Sequence, residues 1–479
     1  MITFFASIVL LIGGYFLYGK LVERIFGVQP NRQTPSCTLA DGVDYVPMSW
    51  GRIFLIQFLN IAGLGPIFGA VMGAVYGPAA FLWIVLGSIL GGAVHDYLSG
   101  MLSVRNNGIS LPEIVGKYMG NGFKQFMCVF TVLLMVLVGA VFVSGPAKLL
   151  ANMTPDYLNF NVWCVVIFVY YILATLLPVD KIIGKIYPFF GFAMLFMAVG
   201  VGTVLIWNWA PIPEVIPANL HNMNPDPEKF PIFPMLFISI ACGAISGFHA
   251  TQSPLMARCL KNEREGRRVF YGAMIAEAIV ALIWAAAAMS FFGSVGGLHE
   301  FLQANDNNAA VAVNKIAYTW LGGLGGLLAI IGVVAAPITS GDTAFRAARL
   351  IIADFIHYSQ KKLSHRIIVS VPLFVAAIVL LQVNFDIIWR YFAWSNQTLA
   401  TLTLWAITVY LVKEKKFYWL TLLPALFMTM VTSTYIALAP EMLALSANIG
   451  YITGAACTVV VWAVFLRWQR KEIKRFGMR

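Results

Sequence analysis

Apolar runs of about 20 residues, the length that crosses a hydrocarbon core, follow one another along almost the whole chain, parted by short polar connections. They fall at Ile2 to Gly19, Gly51 to Tyr76, Pro78 to Val104, Phe123 to Leu150, Val162 to Leu177 and Ile186 to Trp207. A second series runs Pro234 to Met256, Val269 to Phe292, Trp320 to Ile338 with a helical continuation to Phe355, Ile367 to Leu381 and Ile387 to Val412, before two closing runs at Tyr418 to Leu438 and Leu445 to Leu466. The pattern predicts an all-α integral membrane protein with about 13 transmembrane helices.

Two of these runs are interrupted. One reads Phe58-Leu-Asn-Ile-Ala-Gly-Leu-Gly-Pro-Ile-Phe-Gly69; the other reads Phe237-Ile-Ser-Ile-Ala-Cys-Gly-Ala-Ile-Ser-Gly-Phe-His-Ala-Thr-Gln-Ser-Pro254. Lipid offers no partner to a freed N–H or C=O, so broken backbone at membrane depth is tolerated where it lines a cavity or is buried in protein. Each interruption opens a series of five runs, and both share Phe-x-x-Ile-Ala followed by glycines. Five is odd, so the second series enters the membrane from the opposite side, and a 5+5 inverted repeat follows, the arrangement of secondary transporters. The expected divisions are an N-terminal helix and loop over 1–49, a first repeat over 50–209, a second over 210–412, and two C-terminal helices with a basic tail over 413–479.

Composition agrees: 60% of the 479 residues are hydrophobic and 11% are charged, with mean hydropathy +0.80. The net charge of +11 raises nucleic acid as a partner, but the basic residues are dispersed among loops without a recognition module. Of 32 Lys and Arg, all but Lys148, Lys229, Lys315 and Arg390 fall in loops of one face. That asymmetry predicts a multi-pass protein of the prokaryotic inner membrane with its amino terminus outside and its carboxyl terminus, including the tail from Arg467 to Arg479, in the cytoplasm. The first run lacks a basic leader and a cleavage signal, so it is expected as a retained span. The six cysteines show no paired spacing, and neither a disulfide framework nor a zinc site is expected. No Walker loop, His-Glu-x-x-His or Gly-x-Ser-x-Gly occurs, which argues against direct use of ATP and against an intramembrane enzyme. No cofactor is expected beyond a coupling ion, and the partners are the bilayer and a small solute, with oligomeric state unread.

The breaks carry the candidate substrate residues. An opened helix exposes one end with partial positive and one with partial negative charge, suited to a carboxylate and a small cation. Gly63, Gly65 and Pro66 form the first break; Gly243, Ser246 and Gly247 form the second, with His249, Thr251 and Gln252 behind. The alternative is that the glycines allow close helix contact and that His249 satisfies a freed carbonyl. Candidate proton carriers are Glu277, deep in its run without a local partner, and His95 with Asp96, which as neighbours point to different helix faces. Asp96 has a plainer alternative as a partner of Arg105. Asp41 and Asp44 precede the first broken helix as a turn or inner-gate element, and Trp389, Tyr391 and Trp394 flank a polar Ser395-Asn-Gln-Thr398.

Asp41-Gly-Val-Asp-Tyr-Val-Pro47, Ile61-Ala-Gly-Leu-Gly-Pro66, Gly91-Gly-Ala-Val-His-Asp96, Ile240-Ala-Cys-Gly-Ala-Ile-Ser-Gly-Phe-His249, Tyr271-Gly-Ala-Met274 and Pro337-Ile-Thr-Ser-Gly-Asp-Thr343 together resemble the carbon starvation protein (CstA) family. The resemblance implies an inner-membrane symporter for peptides or pyruvate with a LeuT-like fold, here with one extra N-terminal and two extra C-terminal helices. It also implies a sodium site where hydroxyls of Thr339 and Ser340, with Thr343 and Asp342 beside them, face carbonyls at Ala62; sodium, an ion that hard oxygen ligands suit, is the only metal expected. The alternative there is an Asp342–Arg346 pair. Longer relatives carry a His pair where this chain has Ile56-Gln57, so coupling through that pair is not implied. The function expected is proton- or sodium-coupled import of a small carboxylate-bearing solute by alternating access, the alternative being a sensor or channel without coupled transport.

Overall fold

The computed structural model describes residues 1–176, 183–305, 307–383 and 385–475, and the elements are helices joined by loops. The predicted run end at Leu177 and the last four residues of the basic tail lie outside these. In chain order the helices are α1 (Ile2–Phe26), α2 (Trp50–Ile61), α3 (Gly65–Tyr76), α4 (Ala79–Arg105), α5 (Leu111–Met119), α6 (Asn121–Ala151), α7 (Phe160–Leu176) and α8 (Ile183–Trp207). There follow α9 (Ile232–Ser239), α10 (Gly247–Ala257), α11 (Glu263–Phe291), α12 (Val295–Ala304), α13 (Ala309–Phe355), α14 (Leu363–Leu380), α15 (Phe385–Lys413), α16 (Trp419–Leu438) and α17 (Ala447–Arg475).

Among the described residues nine helices are long and apolar enough to cross a membrane, or ten when α2 and α3, bent by 57° at their break, count as one span. The chain is a multi-pass membrane protein. The predicted runs outside this count have visible causes. α7 has 17 residues, α9 and α10 are the two short halves of the second interrupted run, and α15 carries Arg390 and the polar Ser395 to Thr398 stretch.

The apolar surface is turned outward on the peripheral helices, with Val9 and Leu10 on α1, Val371 and Val379 on α14, and Val459 and Val460 on α17 all exposed. This is the face that lipid would cover. The interior is reversed: α11, rich in alanine, is buried along nearly its whole length, and small side chains let helices approach closely. α13 lies against both α6 and α8, α4 packs on α10, and α11 packs on α2 and α3.

Prolines inside helices release carbonyls that other helices collect. Pro146 in α6 deprives the Phe142 carbonyl of its usual donor, and the Tyr171 hydroxyl donates to that oxygen at 2.7 Å while also reaching the Pro337 carbonyl at 3.0 Å. α13 bends at Gly322, whose φ of 71° only glycine adopts without strain. The kink falls two residues after Trp320, where the predicted apolar run begins.

Candidate functional site

Helix propensity fails at the first break because Gly63, Gly65 and Pro66 crowd into four positions. Ala62 ends α2 with its N–H still bonded to the Phe58 carbonyl, and α3 restarts with Pro66 in its first turn. The second break spans 240–246, where Cys242, Gly243 and Ser246 separate α9 from α10. The two breaks touch: a Cβ placed on Gly65 would lie 2.3 Å from Cys242 Cβ, and one on Gly243 would lie 3.9 Å from Pro66 Cα, while α11 closes on Gly243 from the other side with Ala281 Cβ at 2.6 Å.

The freed carbonyls of the second break are met by α4, whose turns over Trp83–Gly92 are wide, π-type ones; such turns concentrate at functional sites. Trp83 Nε1 donates to the Ile240 carbonyl at 2.9 Å, and Ser88 Oγ donates to the Gly243 carbonyl at 3.0 Å. The positive end of α10 is also closed: the Phe248 N–H donates to Asn396 Oδ1 at 2.7 Å, with Ser246 Oγ 3.1 Å from the same oxygen. Gly247 lets α15 pass, since a Cβ there would lie 2.4 Å from the Ala400 nitrogen.

Gly92 is tighter still, with its missing Cβ 2.1 Å from the Ala244 carbonyl oxygen. Gly92→Ala is expected to push the second break out of place and to lower stability by about 1–3 kcal/mol, the usual cost of overpacking. Gly91→Ala, whose Cβ would meet Ile245 at an ordinary 3.5 Å, is the control. Thermal unfolding of the detergent-solubilised pair should separate the two variants; equal midpoints would contradict the packing described.

Beside the second break sits a fully buried ionisable cluster. Asp96 lies between two imidazoles, its Oδ1 2.8 Å from His95 Nδ1 and its Oδ2 2.8 Å from His249 Nδ1. Glu277 Oε2 lies 3.3 Å from His249 Nε2, yet the two are misaligned for hydrogen bonding, and both carboxylate oxygens of Glu277 lack a hydrogen-bond partner. Glu277 thus has a close neighbour from another helix, and His95 and Asp96 act on one another despite their adjacent positions. Arg105 is occupied elsewhere, pairing with Glu263 at 3.1 Å, so it is not the partner of Asp96.

On the far side of the first break, Asp342 accepts from the Tyr170 hydroxyl at 2.8 Å and lies 3.0 Å from that of Tyr187. The Tyr187 hydroxyl also lies 3.1 Å from Asn60 Oδ1 and 2.9 Å from the Thr339 carbonyl. Thr339 and Ser340 hydroxyls reach the Leu59 carbonyl at 3.0 and 3.2 Å, a turn before Ala62, and both also reach Ala336. Thr343 bonds the Thr339 carbonyl of its own helix, and Arg346 turns to Asp44 and the Ala174 carbonyl.

Thr251 bonds the Phe248 carbonyl and Gln252 Nε2 bonds Thr251, while Gln252 Oε1, both amide atoms of Gln57 and Asn60 Nδ2 are buried without a hydrogen-bond partner. The structure thus brings together two clusters, one at each break. Cys242, Asn396, Tyr170, Tyr187 and Asn60 belong to them and were not singled out as site residues by sequence. Asn60 and Asn396 were detectable as amides inside apolar runs; the tyrosines, among 18 in the chain, carried no distinguishing signal.

A third network lies at the arginine-rich end of α13. Asp41 Oδ1 accepts from the backbone N–H groups of Val43, Asp44 and Tyr45, a tight turn. The turn aims Asp44 at Arg346 and Arg349, 3.5 and 3.7 Å away.

Comparison with known proteins places these features in context. The family described as "Carbon starvation protein CstA" matches residues 1–156, 148–323 and 321–435. A membrane protein of Haemophilus influenzae is 45% identical over 352 residues, covering 64% of this chain and 95% of the relative. The peptide transporter CstA of Campylobacter jejuni is 30% identical over 58% of this chain and 48% of its own length. The pyruvate/proton symporter BtsT of Escherichia coli is 28% identical over 57% of this chain and 46% of its own length. The chain therefore spans about half the length of these two transporters. Among solved structures, a manganese transporter of Eremococcus coleocola superposes with TM-score 0.56 at 15% identity, covering 91% of this chain and 99% of that one, a likeness of fold alone.

Proposed function

The chain belongs to the carbon starvation protein CstA family, and from that premise we propose that it is a secondary transporter importing a small carboxylate-bearing solute, pyruvate or a short peptide. The observation that carries the reading is the meeting of two broken helices at a core of buried polar groups, several of them unpartnered on α2 and α10. Buried polar atoms are almost always satisfied, so unpartnered groups beside two broken helices suit a cargo. The names of the two transporter relatives supply the solute classes.

In this reading the series 50–209 and 210–412 form a LeuT-like 5+5 inverted repeat within about thirteen spans. The amino terminus lies outside and the basic loops lie in the cytoplasm of a prokaryotic inner membrane. The solute carboxylate docks on the N-terminal end of α10 at Ser246 and Gly247, displacing the Asn396 side-chain oxygen that occupies that end now, with Gly63, Gly65, Pro66 and Gly243 giving the backbone room to approach. Thr251 and Gln252 line the next turn. The coupling cation acts at Asp342, which Tyr187 and Asn60 tie to the first break; a proton is one choice. Sodium is the second, favoured by the hydroxyls of Thr339 and Ser340 converging with the Leu59 carbonyl.

Uptake of labelled pyruvate and of a dipeptide into proteoliposomes, with proton and sodium gradients imposed separately, tests this. One solute should accumulate under one gradient and exchange in counterflow; binding without flux, or chemical conversion of the solute, would overturn the reading. Asn396→Asp puts a fixed negative charge where the carboxylate is proposed to dock. Anions at a helix N-terminus gain up to about 2 kcal/mol, so KM should rise about 5- to 30-fold with little change in the amount of folded protein.

A further inference from the structure

Cys242 from the second break, His249 from the first turn of α10 and Glu277 from α11 bring a thiol, an imidazole nitrogen and a carboxylate oxygen within 4.8 Å of one another, all buried. His249 Nε2 and both Glu277 oxygens have no hydrogen-bond partner, although His249 Nε2 and Glu277 Oε2 are 3.3 Å apart. Unmet polar atoms in a fully buried place call for a ligand.

The surroundings say what kind. Asp96 Oδ2 is 2.8 Å from His249 Nδ1; an ionised carboxylate only accepts, so Nδ1 carries the hydrogen and the Nε2 lone pair is left facing Glu277. A carboxylate behind the imidazole, fixing its tautomer and raising its basicity, is the usual support of a metal-bound histidine. On the other side, Ser246 Oγ and Asn396 Nδ2 each lie 3.6 Å from Cys242 Sγ, donors placed to support a thiolate.

We propose that Cys242, His249 and Glu277 bind a divalent transition-metal ion of borderline softness, zinc being the member that thiolate, imidazole and carboxylate together suit. Thiolate and carboxylate carry two negative charges, so a divalent ion makes the buried trio neutral, which relieves the cost of charge away from water. Bonds of about 2.0–2.3 Å set ligand atoms of a tetrahedral site about 3.3–3.8 Å apart, so the trio needs side-chain movements of about 1 Å to close. Three protein ligands leave one coordination position for a fourth group. The site needs no transported solute, and it joins the second break to α11 whether or not the transport reading holds. Sequence spacing gave no zinc pattern because the three ligands come from three elements.

The test uses the full chain, purified in detergent, stripped with chelator and titrated with Zn²⁺ or with Co²⁺ as a spectroscopic probe. One ion per chain is expected, and Co²⁺ should show a thiolate charge-transfer band with the visible absorption of a four-coordinate site. Cys242→Ser should abolish that band and Glu277→Gln should weaken binding by at least about tenfold. Replacing the exposed Cys37 and Cys457 by Ser should leave stoichiometry and spectrum unchanged. No retained ion, or a charge-transfer band that survives Cys242→Ser, overturns the proposal. If Cys242→Ser does not purify as a folded species, the near-isosteric Glu277→Gln decides: zinc affinity equal to that of the parent overturns the site.

Discussion

Asp342→Asn is expected to abolish concentrative uptake while leaving solute exchange intact. An ion gradient of about a hundredfold is worth about 2.8 kcal/mol per coupled ion, enough to hold about a hundredfold solute accumulation at one ion per solute. The substitution keeps shape and keeps an oxygen for the Tyr187 hydroxyl, which also touches Asn60 and the Thr339 carbonyl, so the local packing has no reason to collapse. It removes the charge on which a coupling cation acts. The accumulation ratio should therefore fall to about one under any imposed gradient, a limit set by the same equilibrium. Counterflow of labelled against unlabelled solute, which needs alternating access but no driving ion, should continue. Undiminished accumulation in the variant would remove Asp342 from coupling; loss of counterflow as well would assign it to the conformational cycle or to folding.

The breaks were legible in the sequence because their cause is local. Glycine and proline in an apolar run that long have few structural meanings, and Gly63, Gly65, Pro66 and Gly243 fall where the helices stop. The all-helical, multi-pass character was legible for the same reason, since hydropathy acts residue by residue, whereas nine or ten of the about thirteen predicted spans are long and apolar enough to cross a membrane among the described residues. The clusters were not, because their geometry is set by which helices meet. Asp96 and His249 are separated by 153 positions and meet at 2.8 Å. The local rule that neighbours on a helix diverge made His95 and Asp96 look independent, yet the short Asp96 side chain reaches one imidazole with each oxygen. Glu277 looked isolated because its neighbour stands on another helix. Asn396 was legible only as part of a polar patch among aromatics; its role as the acceptor that closes α10 depends on Gly247 letting α15 come within contact.

Asp44→Asn should produce the largest loss of stability of any single change considered. Asp44 is buried beside Arg346 and Arg349, which are themselves almost fully buried, and it is the acid that both arginines share. Breaking a buried ion pair by removing one partner costs about 3–5 kcal/mol, because the remaining charge is left uncompensated. Burial pushes the Asp44 carboxyl up, but Arg349, Arg346 and Arg258 outweigh it and hold the group below the usual carboxylate range. A depressed carboxylate contributes stability in full above its unfolded value, about 3.9, and loses it as pH falls through the lowered folded one. The gap between parent and Asn variant should therefore be flat above about pH 5 and should narrow on acidification. Cys259 reports the same event structurally: it is buried, and its carbonyl accepts from the Met48 N–H just past the Asp44 turn. In a background where Cys37 and Cys457 are Ser, Cys259 should react faster with maleimide in the Asn variant than in the parent. A variant that is as stable as the parent at neutral pH, with Cys259 equally protected, would show that the Asp44 turn does not hold the basic ends of the helices together.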